Sequence, residues 1–268
     1  MQKPLILFFW LFVWEGLSRL TANSILLVGP VETLTALKSL LPDPAFWQAL
    51  LQSFLHIGSG FLLALILGIL FGFFAYKSRL LAALLSPPVS LMKAIPVASF
   101  VILALIWLGG SRRLSTFVSF VVVFPLVFLN TKSGLDSADP KLLECAAVFH
   151  LGFRQRLRFL YLPALLPYLL SCLRVAVGLC WKSGIAAELI GQPRGTIGAN
   201  LYQAKIFLDT SSLFAWTAAA IFLSFLTERI LLWAFGLAAK KLGCETGTNA
   251  ETKTSSDATH FPPASKEL

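Results

Sequence analysis

Charge is scarce in this 268-residue sequence, and acidic charge is scarcest: 13 Asp and Glu stand against 22 Lys and Arg. No glycine is followed by lysine, so the phosphate-cradling loop of P-loop nucleotide hydrolases cannot be present. Histidine occurs only at His56, His150 and His260, and no His-Glu-x-x-His is found, which argues against a histidine-rich metal site. The cysteines, Cys145, Cys172, Cys180 and Cys244, have no Cys-x-x-Cys spacing. Cys172 and Cys180 sit in an apolar run, where a free thiol acts as a small packing residue. Gly-x-Ser-x-Gly is also missing, and its nearest echo, Gly58-Ser59-Gly60, lies in an apolar run. The sequence therefore offers no catalytic residue, no metal ligand and no call for a cofactor.

What is abundant is apolar surface. Hydrophobic residues make up 57% of the chain, with 23 Phe and 7 Trp, above the roughly 45–50% of a soluble domain. Mean hydropathy is +0.78. An all-α, polytopic membrane protein in contact with lipid follows. The net charge of +9 has no soluble fold to carry it as a nucleic-acid face, so nucleic acid is excluded as a partner.

Six spans are expected, at residues 4–27, 53–75, 89–108, 114–129, 165–187 and 213–238. Residues 31–41 read as a short amphipathic helix outside the bilayer. Gly58, Gly60, Gly68 and Gly72 read as seams for close helix packing. Ser86-Pro87-Pro88 reads as a chain break, and Pro96 as a kink in the third span. Glu15 and Arg19 are four residues apart and can pair on one helix face. Residues 188–209 form a polar excursion. Residues 1–241 make the membrane domain and 242–268 a disordered cytoplasmic tail rich in Ser, Thr and charge. Basic residues outnumber those on the opposite side by roughly two to one on the side of the termini, which places both termini in the cytoplasm.

The longest polar interruption is Asp139-Pro140-Lys141-Leu142-Leu143-Glu144-Cys145-Ala146-Ala147, running on to Leu162-Pro163. Asp139 followed by Pro140 reads as an N-cap with proline at the first helical position. Small residues at Ala146 and Ala147 let another surface approach. A short helix, a bend and a basic second piece with Arg154, Arg156 and Arg158 would make a rigid cytoplasmic knob.

This stretch resembles the EAA loop of the membrane subunits of ABC importers, with Glu144, Ala146 and Leu162-Pro163 on its positions. Cys145 replaces the first Ala of that pattern, and His150 stands at its Gly, with Gly152 two residues later. Lys93-Ala94-Ile95-Pro96, Ile106-Trp107-Leu108-Gly109, Pro125, Asn130-Thr131, Ala187-Glu188-Leu189-Ile190-Gly191 and Gly195-Thr196-Ile197-Gly198 are similar to the nitrate, sulfonate and taurine branch. The resemblance covers about Trp14 to Lys241. It implies a permease subunit of the bacterial plasma membrane, paired with a second copy. It also implies cytoplasmic ABC ATPase subunits and an extracytoplasmic substrate-binding protein. The solute would be of the nitrate, sulfonate, taurine or thiamine-precursor pyrimidine kind. ATP hydrolysis belongs to the partner. Glu144, Cys145, Ala146, Ala147, His150 and Gly152 would carry ATPase coupling.

Asn130, Trp181, Lys182 and Glu188 are candidate residues of the translocation path, since ionisable groups inside spans are functional candidates. Lys182 suits an anionic solute or snorkels to the outer interface; Glu188 lines the path or caps its span. A membrane scaffold without transport activity is the alternative from another class. A vitamin-importer coupling subunit is disfavoured, because its Ala-Arg-Gly signature does not occur.

Overall fold

Helices joined by short turns account for nearly all of the described residues. The computed structural model describes residues 2–21 and 26–241; the expected tail, 242–268, lies outside the described residues. The order is α1 (Gln2–Thr21), α2 (Pro30–Leu40), α3 (Pro44–Lys77), α4 (Arg79–Ala94), α5 (Val97–Leu108), α6 (Leu114–Asp136), α7 (Pro140–Val148), α8 (Phe153–Arg156), a π-helical turn (Leu157–Tyr161), α9 (Leu162–Gly191), α10 (Ile197–Ile206) and α11 (Thr210–Lys241).

Local chemistry sets many of these boundaries. Asp43 accepts a hydrogen bond from the Ala45 amide ahead of Pro44. Asp139 does the same for Lys141 ahead of Pro140. Both satisfy a donor that a helix start leaves unpaired, and proline there costs no bond. Ser78 ends α3 and caps α4 by accepting from Leu81.

The centre is a three-helix packing of α3, α6 and α9. Lipid is as apolar as leucine, so close fit rather than water exclusion must hold these helices together. The glycine seam supplies that fit. A Cβ at Gly68 would stand 2.8 Å from the Val127 side chain, and one at Gly72 would stand 2.7 Å from Thr131. Gly60 lies equally tight against Thr116, whereas Gly58 has open space beside it. Within its most apolar stretch α6 is 61% buried and α11 only 11%, so α6 is the hub and α11 the periphery. Leu62, Ile66 and Phe222 are exposed, as suits a surface bathed in hydrocarbon.

Several expectations are corrected. Four described helical stretches are long and apolar enough to cross a membrane: Pro44–Lys77, Leu114–Asp136, Phe153–Gly191 and Thr210–Leu237. A bent pair, α4 with α5, would make a fifth; six spans are not reached among the described residues. The third span is broken rather than kinked, with 110° between α4 and α5. Ile95 is extended, as a residue before proline tends to be, and Pro96 becomes the N-cap of α5. Pro87 and Pro88 do not break the chain and lie inside α4. The excursion after Glu188 is itself folded, since α10 packs on α9 and α11. Glu15 and Arg19 do pair, at 2.8 Å.

Candidate functional site

The knob between α6 and α9 is built on a single turn. At the end of α7 the Leu151 amide donates to the Ala146 carbonyl at 3.0 Å, and the His150 amide donates to the Ala147 carbonyl at 3.1 Å. This is the Schellman pattern, which needs a left-handed residue between the two donors. His150 is that residue, with φ of 49°. The bend therefore sits where the resemblance puts glycine and has not moved to Gly152, whose φ is −63°. A histidine there costs about 1 kcal/mol of backbone strain.

Other groups hold the turn. Arg156 donates from Nε to the Leu151 carbonyl at 2.9 Å and from Nη2 to the Ala146 carbonyl at 3.3 Å. Gln155 Oε1 accepts from the Gly152 amide at 3.0 Å. Ala146 is 2% exposed, so of the alanine pair only Ala147 is open to a partner. Glu144, Cys145, Ala147 and His150 are exposed. Val148 and Phe149 stand 74% and 75% exposed beside them as an apolar tip. Phe153 ties the knob to α3: its ring meets Phe73 edge-on at 6.3 Å, and Lys77 Nζ lies 5.0 Å from its centre.

The path candidates fall in different environments. Glu188 is fully buried at the end of α9. Its Oε2 accepts from Ser53 Oγ at 2.6 Å and from the Gly198 amide at 3.2 Å, while Ser53 Oγ accepts from the Ile197 amide at 2.9 Å. The carboxylate and the serine together occupy the amino end of α10, where a helix offers free donors and a favourable dipole for an anion. Trp181 is buried and lines an apolar cavity of about 250 Å³ with Phe54, Val177 and Leu231. Asn130 donates back to Leu126 of its own helix at 2.8 Å. Lys182 is exposed on α9. Among the described residues no hydrogen bond or ion pair joins any two of these four. Ser53, 135 residues from Glu188, carries no local sequence signal that could have linked them.

Apolar helices packed at glycine seams, with one capped polar knob between two of them, define a polytopic helical membrane protein. The family profile of binding-protein-dependent transport system inner membrane components matches residues 60–235. The chain belongs to that family and is a membrane-spanning permease subunit of an ABC importer. An ABC transporter permease protein of Brucella melitensis is 30% identical over 81% of this chain and 88% of its own length. SsuC of Bacillus subtilis, named for transport of aliphatic sulfonates, is 28% identical over 76% of this chain and 74% of its own. The taurine transport permease TauC of Escherichia coli is 28% identical over 69% of this chain and 67% of its own. An amino acid ABC transporter of known structure shares the fold, with a TM-score of 0.50 and 16% identity over 72% of this chain and 90% of that one.

Proposed function

We propose that two copies of this chain pair in a bacterial plasma membrane with their termini in the cytoplasm. Together they pass a small sulfonate-bearing solute of the aliphatic sulfonate or taurine kind inward, driven by ATPase subunits that dock on the α7 turn and supplied by an extracytoplasmic binding protein. Relatives named for sulfonates and taurine support the solute class. The observation that carries the coupling reading is the rigid tip. Glu144, Cys145, Ala147, Val148, Phe149 and His150 are presented on a helix end that Arg156 and the paired amides hold fixed. Ala146 and Gly152 shape that end from within. ATP can move the permease only through contacts that differ between its states, and a fixed knob leaning on Phe73 and Lys77 transmits such a change without absorbing it. In this reading the membrane domain ends near residue 241, and the remaining residues form a cytoplasmic tail.

Co-purification of the full-length chain with its candidate ATPase, native against Glu144→Lys and Phe149→Asp, tests the proposal. Loss of the complex in both variants, with insertion and monodispersity unchanged, is expected. A native chain that holds no ATPase, or variants that hold it as well as the native chain, would overturn it.

A further inference from the structure

An open groove of about 940 Å³ runs between α9 and α11, lined by Arg174, Glu228 and Arg229 together with Phe225 and Trp233. Three ionisable side chains of two different spans line it. At 1.5 Å per residue, Arg174 lies about 18 Å from the start of α9 and about 25 Å from its end. Arg229 lies about 28 Å and about 18 Å from the two ends of α11. Charges at such depth face protein partners or water, because hydrocarbon solvates neither sign. Among the described residues none of the three is in an ion pair or a side-chain hydrogen bond. Their sum is one positive charge, so even if Glu228 turned to one arginine, the other would be left without a counter-charge.

The rest of α9 bears this out. Its exposed face continues outward from Arg174 past Gly178, which has open space beside it, to Lys182. The neighbouring cavity around Trp181, which shares Ile230 with the groove, has no charged lining residue. The charge of this α9–α11 seam is thus gathered in the groove, beside a wholly apolar cavity.

We infer that this groove is an anion site within the membrane, in which Arg174 and Arg229 attract a small oxyanion such as an alkyl sulfonate and Glu228 keeps it from being held too tightly. The inference rests on the importer reading for the direction of transport, but the site's charge selectivity stands apart from ATPase docking. Two arginines can offer a sulfonate or carboxylate head parallel N–H donors, and the opposing carboxylate weakens the site enough for the solute to leave.

Trp233 reports on the groove. The full-length chain would be placed in lipid nanodiscs and its fluorescence quenched with iodide, caesium or neutral acrylamide. The Trp233 signal is taken as the difference between the native chain and Trp233→Phe. Iodide should quench that signal roughly tenfold more effectively than caesium, the lower end of what a charge-lined cleft does to local counter-ion concentration. Added methanesulfonate should reduce the iodide effect. Arg174→Gln with Arg229→Gln should abolish the preference while acrylamide quenching persists, and Arg174→Lys with Arg229→Lys should keep it. Equal quenching by iodide and caesium, or no quenching by any of the three, would overturn the site. Retained binding of the ATPase in the glutamine variant would show that the importer reading survives even if the anion site does not.

Discussion

Ser53 and Glu188 stand 135 residues apart in the chain and 2.6 Å apart in space, where the hydroxyl donates to a carboxylate that has no exposed surface. Through the Ile197 and Gly198 amides this pair fastens α10 to α3 and α9. Glu188 thus has a fixed structural task whatever part it takes in transport. Glu188→Ala would leave the Ser53 O–H without its acceptor and the Gly198 amide without its partner, at about 1–3 kcal/mol for each group so stranded. Its thermal midpoint in detergent should fall further than that of Ser53→Ala. Equal midpoints for Glu188→Ala and the native chain would show that the pair does not fasten α10.

The approach of α10 to α9 leaves no room at Gly198. A Cβ there would stand 2.3 Å from the Glu188 Cβ and 2.6 Å from backbone atoms of Glu188 and Leu189. Backbone cannot swing aside as a side-chain tip can, so Gly198→Ala should destabilise by about 1–3 kcal/mol. Thermal unfolding read by size-exclusion chromatography measures this, with Gly178→Ala, which meets nothing within 4 Å, as the harmless control.

At the α7 turn, His150→Gly should leave ATPase coupling intact and raise stability by up to about 1 kcal/mol by removing left-handed strain. His150→Val should lower stability, because a branched side chain is worst in that conformation. Uptake assays beside melting curves separate the two effects. A stabilising valine would refute the backbone account.

Arg156→Gln removes the clamp on the Ala146 and Leu151 carbonyls. The loosened turn should become a cleavage site under limited proteolysis, and solute uptake should fall while membrane insertion is unchanged. A variant as protease-resistant as the native chain would mean that the amide pair holds the turn alone.

Asp209 caps α11 outside the membrane. Hydrogen bonds from Ser212 hold its carboxyl below the usual carboxylate range. A lowered folded-state pKa gives stability that is complete above the ordinary value near 4 and lost as pH falls through the lowered one. Melting curves should therefore show an acid-sensitive contribution only below about pH 4, and Asp209→Asn, an equally good cap, should remove that pH dependence.

The sequence by itself determined the class of structure. Apolar runs too long for a soluble core, an Asp-Pro at two helix starts and glycines at helical spacing each act over a few residues, so α3, α6, α7 and the seam at Gly68 and Gly72 could be read locally. The pair Glu15 and Arg19 was legible for the same reason, lying one turn apart. Tertiary structure decided what depends on distant partners. Pro87 and Pro88 remain helical while Pro96 ends a helix, a difference set by the 110° turn of α4 against α5 and by no property of proline alone. Ala146 is buried while Val148 and Phe149 stand exposed as the tip, which follows from how α7 is seated and not from the type of residue. Ser53 finds Glu188, and Arg174 comes to line one groove with Glu228 and Arg229, only because α3, α9 and α11 are packed together. Local sequence specifies a helix through bonds four residues long; it does not say which faces will meet.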